Sequence, residues 1–73
     1  MYYKIYDWFC NDEGYKGHRN TLMDACKFAI ELRRHGHRIS RIALFDESDK
    51  EIDSDVLHHQ RTIKMGIKIA GSH

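Results

Sequence analysis

The chain has 73 residues, with 12 Lys and Arg against 11 Asp and Glu, which gives a formal net charge of +1 with neutral His. This length predicts one domain over residues 1–73 with a small core, and the 41% of apolar residues excludes an intrinsically disordered chain. No apolar run approaches the ~20 residues that a membrane-spanning helix needs, and no secretory signal follows Met1, so we expect a cytoplasmic protein without a membrane partner. Two cysteines are too few for a disulfide framework, and Cys10 and Cys26 are predicted to be reduced core thiols.

The amino-terminal segment predicts a β-hairpin with an aromatic first strand. Residues 2–10 are rich in aromatic and β-favouring side chains. The sequence NDEG at residues 11–14 is typical of a turn, after which residues 15–18 predict a short second strand. Alternation along the first strand places Tyr2, Tyr6 and Trp8 on one face and Ile5 and Phe9 on the other.

The next element is predicted to be a helix over residues 22–35. Thr21 followed by Asp24 has the spacing of a capping box, and Gly36 is typical of the left-handed residue that ends a helix. Helical periodicity gives one wide apolar face. That face comprises Ala25, Cys26, Ala29 and Leu32, with Met23, Phe28 and Ile30 at its borders.

Residues 38–45 predict another strand, residues 46–50 a turn and residues 51–53 a short return strand. Alternating apolar residues favour a last strand near the carboxyl end, whereas a helix from about residue 54 to residue 70 is the alternative. The predicted fold class is α+β, with a small, mostly antiparallel sheet of three to five strands and one principal helix packed on one face.

The aromatic residues are the first candidate binding surface. Six of the eight aromatic residues fall within residues 1–15, and a helix of ~21 Å covers only one face of a sheet. Because Ile5 and Phe9 form the better helix-facing pair, we expect Tyr2, Tyr6 and Trp8 on the uncovered face, although the inverse assignment stays open. Uncovered rings predict docking of a protein partner or of a second copy of the chain. The alternative is that the rings simply form both sides of a small core.

Charge is segregated along the chain. Residues 42–55 hold six Asp and Glu against one Lys, and an acidic surface of this kind favours docking on a basic partner. The spacing of these acids does not fit a calcium-binding loop. The residues predicted to bind a partner together with the rings are Asp46, Glu47, Asp49, Glu51 and Asp53.

A basic segment offers the alternative of a small domain that binds RNA or single-stranded nucleic acid. Residues 33–41 hold four Arg and two His, which are suited to phosphate contacts. The candidate residues are Arg33, Arg34, Arg38 and Arg41. The first strand does not match the aromatic pattern of known RNA-binding sheets, and the net charge is close to zero.

No motif in the sequence predicts catalysis, a metal site or a cofactor. The six histidines have no Cys or carboxylate at a recognised ligand spacing, and the chain lacks a glycine-rich phosphate loop. A nucleophilic role for Cys26 is disfavoured because it lies on the predicted apolar face of the helix. We therefore expect a non-enzymatic protein with no small-molecule substrate.

The segments YYKIYDWF, TLMDACKFAIELRRHG, RIALFDES and DKEI, within residues 2–53, together resemble the compact α+β accessory proteins that bacteriophages encode. The resemblance implies a protein that binds and disables a host factor of the transcription, nucleoid or nucleic-acid defence machinery. It transfers no functional residue. The function expected from the sequence is a phage-type inhibitor that occludes a host protein.

Overall fold

The computed structural model describes residues 1–58, and most of the segment predicted to be a strand or a helix, residues 54–70, lies outside them. The described chain forms β1 (Tyr2–Phe9), β2 (Asp12–Arg19), α1 (Leu22–Arg34), β3 (Arg38–Phe45) and β4 (Glu51–Asp53). The four strands make one antiparallel sheet in the order β2-β1-β3-β4, and α1 packs on one face of it. The predicted α+β class is confirmed. None of the helices described is long and apolar enough to cross a membrane.

The first hairpin turns earlier than the sequence predicted. Cys10 and Asn11 have φ values of 52° and 68°, the left-handed values that a tight two-residue hairpin turn requires. The predicted turn at residues 11–14 is therefore wrong, and β2 begins at Asp12 rather than at Tyr15. Cys10 lies at the tip of the hairpin and is exposed, so the prediction of a core thiol is wrong there. Cys26, in contrast, packs against the core.

The helix α1 begins and ends within one residue of its predicted bounds. The Thr21 hydroxyl accepts a hydrogen bond of 3.1 Å from the backbone N–H of Asp24, as the capping motif predicts. After the cap residue His35, Gly36 adopts a φ of 89°, a left-handed conformation that favours glycine. The local signals of the sequence thus fix the length of the helix.

The core lies between α1 and the sheet and is small. Ile5 of β1 and Ile42 of β3 are fully buried against Ala25 and Ala29 of the helix. The apolar face of α1 is narrower than predicted, because Met23 remains 69% exposed. Two alanines in the centre of the interface let the helix approach the sheet closely, and this leaves few large side chains to form the core.

Two irregularities in strand pairing determine which side chains share a face. Between β1 and β2, Ile5 lies opposite Gly17 and Tyr6 lies opposite Tyr15, so Lys16 is an extra residue on β2. A similar shift between β1 and β3 makes Ser40 the extra residue on β3. The face opposite α1, called the far face below, carries Tyr2, Lys4, Tyr6, Trp8, Glu13, Tyr15, His18, Arg38, Arg41, Ala43 and Phe45.

Candidate functional site

The far face carries the aromatic residues that the sequence placed away from the helix. Ile5 faces α1 in the core, so Tyr2, Tyr6 and Trp8, of the opposite parity, lie on the far face. Trp8 is 47% exposed, whereas Tyr2 and Tyr6 are half-buried. Within residues 1–58 no helix or strand crosses this face. The described part of the chain therefore presents an open aromatic sheet face.

Neighbouring strands add two rings that sequence reasoning missed. The Tyr15 ring lies 5.9 Å from the Tyr6 ring in an edge arrangement, and the Phe45 ring stacks at 5.6 Å from the Tyr2 ring. Tyr15 is 53% exposed. A tight turn at Cys10 and Asn11 pairs Tyr15 with Tyr6. Because the sequence predicted the turn at residues 11–14, this pairing could not be predicted.

Cations of the same chain cover part of the aromatic surface. The Lys4 ammonium lies 4.2 Å from the centroid of the Phe45 ring, and the Arg41 guanidinium lies 4.3 Å from that of Tyr6. Beneath these side chains, Ala43 lies opposite Lys4 and is fully buried. Trp8 and Tyr15 are therefore the rings of this face with the most surface left for a partner.

Arg41 is held in a network of ion pairs that joins three strands. Its Nε donates to Glu13 Oε1 at 3.0 Å, and its Nη1 donates to Glu51 Oε1 at 2.6 Å. The Ser40 hydroxyl donates to the other oxygen of Glu13. Hydrogen bonds from Ser40 and then Arg41 lower the pKa of Glu13, against an opposing effect of burial. Burial lowers the pKa of Arg41, but the hydrogen bonds to Glu51 and Glu13 outweigh it and raise that pKa overall.

The acidic residues predicted to bind a partner perform different tasks in the fold. Asp46 accepts hydrogen bonds from the backbone N–H groups of Ser48 and Lys50, and Asp53 accepts one from the N–H of Asp55. These two carboxylates stabilise the turn between β3 and β4 and the segment after β4. Glu47 projects from that turn with its side chain 93% exposed, 3.8 Å from the amino terminus.

A hydrogen bond from Tyr2 to Asp49 connects the acidic turn to the aromatic face. The Tyr2 hydroxyl donates to the Asp49 carboxylate, and chiefly this bond raises the pKa of Tyr2 to about 12. Tyr2, Tyr15, Glu47 and Asp49 all line one open cleft of about 500 Å³. The structure therefore brings the two predicted parts of the binding surface together at the Tyr2 end of β1.

The other end of β1 has a second open cleft, beside Trp8. It measures about 590 Å³ and is lined by Trp8, Cys10, Asn11, Arg38, Ile39 and Ser40. Because eight residues of strand span ~25 Å, the acidic turn and the Trp8 cleft are separated by nearly the full length of the sheet.

The four arginines of the alternative nucleic-acid site do not share one face. Arg33 and Arg34 end the helix, which packs on the opposite side of the sheet. Arg38 lies opposite Trp8 at the start of β3, and Arg41 is paired with two glutamates. The structure thus divides the basic segment between two layers of the molecule.

One buried carboxylate lies on the helix side of the sheet. Asp7 is 2% exposed, and its Oδ2 lies 2.9 Å from His37 Nδ1 and 3.6 Å from Lys16 Nζ. Its other oxygen has no hydrogen-bond partner among the described residues. Asp7 lines none of the three best-formed clefts of residues 1–58, and no group of His, Cys, Asp and Glu in that part of the chain has the geometry to hold a metal ion.

Three comparisons with known proteins found no match for this chain. No family model matches the chain, and neither does a curated protein or a solved structure.

Proposed function

We propose that this chain is a non-enzymatic protein-binding module that docks its partner on the far face. The observation that carries the proposal is the shared cleft in which Tyr2 and the exposed Tyr15 lie beside Glu47 and Asp49 of the acidic turn. Aromatic residues are enriched in the buried centres of protein interfaces, and charged borders steer the approach of an oppositely charged partner. The partner is a protein segment with a basic side chain for the acidic turn and an apolar side chain that packs on the exposed Trp8 ring.

Protein docking is favoured over nucleic-acid binding by two properties of the same face. Single-stranded nucleic acids stack successive bases on ring faces, and two of the five rings of the far face, Phe45 and Tyr6, already have Lys4 and Arg41 over them. Arg41 is also neutralised by Glu13 and Glu51, so a phosphate would have to displace two carboxylates. The phage-type inhibitory role, in which docking occludes a host protein, remains a prediction from the resemblance.

Capture from a bacterial lysate on the immobilised full-length chain tests the proposal. Trp8→Ala removes the ring at one end of the far face, and Glu47→Lys reverses the exposed charge at the other end. Met23→Ala is the matched control, because Met23 is an exposed apolar residue of α1, on the other side of the sheet. We expect one saturable partner that the wild type and the control retain. The Trp8 and Glu47 variants should bind it at least tenfold more weakly, and added salt should weaken its binding.

Two results would count against the proposal. Equal capture by all four proteins would show that the partner binds elsewhere. Tight binding of oligonucleotides, weakened by Arg38→Ala and by salt, would favour the nucleic-acid alternative instead.

A further inference from the structure

The strand β2 is an open edge of the sheet. It comes first in the order β2-β1-β3-β4, so its outer side has no strand partner within residues 1–58. It is eight residues long, and all of its residues are exposed except two half-buried glycines. An edge of this length presents a row of backbone N–H and C=O groups that can pair with another strand.

The charges of β2 are arranged so that the strand complements itself. Its first two residues are Asp12 and Glu13, and its second half carries Lys16, His18 and Arg19. When the β2 strands of two copies pair antiparallel around a two-fold axis at the centre of the strand, the acidic half of one strand lies against the basic half of the other. The residue pairs across the two copies are Asp12 with Arg19, Glu13 with His18 and Gly14 with Gly17, and Tyr15 and the bulge residue Lys16 lie at the two-fold axis.

The bulge at Lys16 makes this pairing geometrically consistent. In a regular strand, residues separated by an odd number lie on opposite faces, so Asp12 and Arg19 would not meet across a two-fold axis. The extra residue brings Asp12 and Arg19 onto the same face of the sheet. Asp12 lies opposite Phe9 and Arg19 lies opposite Tyr3, both on the helix side. Glu13 and His18 are both on the far face, opposite Trp8 and Lys4 respectively.

We propose that two copies of this chain associate through antiparallel pairing of their β2 strands, which joins the two sheets into one. The contact is isologous, with the same strand on both sides of a two-fold axis, so it closes as a dimer and does not extend further. In the dimer, the half-exposed Tyr15 at the edge lies beside the neighbouring copy. The two far faces then form one continuous surface. Because the backbone edge makes the contact, the dimer is independent of the partner proposed for the far face.

A charge exchange measured by sedimentation equilibrium on the full-length chain tests the pairing. Asp12→Arg sets Arg against Arg across the axis, and Arg19→Asp sets Asp against Asp. We expect each variant to raise the dimer dissociation constant about tenfold, because two like-charge contacts form per dimer. An equimolar mixture of the two variants should recover dimers of wild-type stability, because both cross-strand pairs become attractive again.

Control variants distinguish this dimer from other contacts. Lys27→Glu reverses an exposed charge on the helix, and Trp8→Ala removes the principal ring of the far face; both should dimerise as the wild type does. Hydrogen exchange at the β2 amides should slow as protein concentration rises. A wild type that stays monomeric at millimolar concentration overturns the proposal. The proposal is also overturned if neither charge reversal changes the dimer dissociation constant, or if the equimolar mixture fails to restore the dimer.

Discussion

At the scale of single residues, Glu13 is predicted to make stability depend on pH in acid. Its pKa is lowered in the folded state by Ser40 and Arg41, so its contribution is fully present above the unfolded pKa of about 4.5 and is lost as pH falls through the folded value. We expect Glu13→Gln to cost about 1 kcal/mol at neutral pH, the scale of a partly exposed ion pair, and less as the pH falls below about 4.5.

Urea unfolding at a series of pH values measures this difference. Glu47→Gln is the control, because its side chain is almost fully exposed and it should leave the curve unchanged. A constant difference between Glu13→Gln and the wild type down to pH 2 would be inconsistent with an ionised Glu13 supporting the fold.

The sequence predicts on which face of the sheet Asp7 lies, but it does not predict which residues Asp7 contacts. Alternation with Ile5 places Asp7 on the helix side of β1, and that is where the structure has it. Burying a carboxylate is costly unless it is paired and hydrogen-bonded, and here the Lys16 ammonium lies 3.6 Å and a ring nitrogen of His37 2.9 Å from Asp7 Oδ2. His37 is thirty residues away in the chain, however, and nothing local in the sequence indicates the contact. Long-range polar pairs of this kind depend on the finished fold.

At the scale of elements, the amino-terminal cap of α1 is predicted to be a measurable source of stability. The Thr21 hydroxyl satisfies a backbone N–H that would otherwise lack a partner in the helix. We expect Thr21→Ala to destabilise the fold by about 1 kcal/mol, whereas Thr21→Ser should retain nearly all of the effect. Thermal unfolding followed by circular dichroism compares the two, and equal losses in both variants would assign the effect to the methyl group of Thr21 instead.

The elements differ in how far the sequence predicts them. The helix and β3 have strong local signals, such as the Thr21 cap, Gly36 and a run of β-branched and apolar residues, and their predicted bounds hold within one residue. The first hairpin carries the turn-forming sequence NDEG at residues 11–14, but the chain turns at Cys10 and Asn11 instead. The bulge at Lys16 breaks strict alternation, so no period-two pattern could place Tyr15 and His18 on one face.

At the scale of the molecule, one helix covers one side of a two-sided sheet. Among residues 1–58, the buried layer between them has two large, fully buried side chains, Ile5 and Ile42, whereas the rings of the far face are partly exposed. A domain of this size has a free energy of unfolding of only ~3–5 kcal/mol. Stability therefore depends on a few core residues, and a partner bound at the far face or at β2 would raise the free energy of unfolding by mass action.

Substitution of Ile42 tests most directly whether the stability of the domain depends on a few core residues. It is fully buried opposite Ile5, so Ile42→Ala removes core volume that the small alanines of α1 cannot replace. We expect a loss of about 2–5 kcal/mol, which is close to the whole stability of the domain. Ile52→Ala, at a half-exposed position of β4, is the matched control and should cost less than ~1 kcal/mol in urea unfolding. Similar losses at both positions would mean that the core is not centred beneath α1, because only Ile42 lies in that layer.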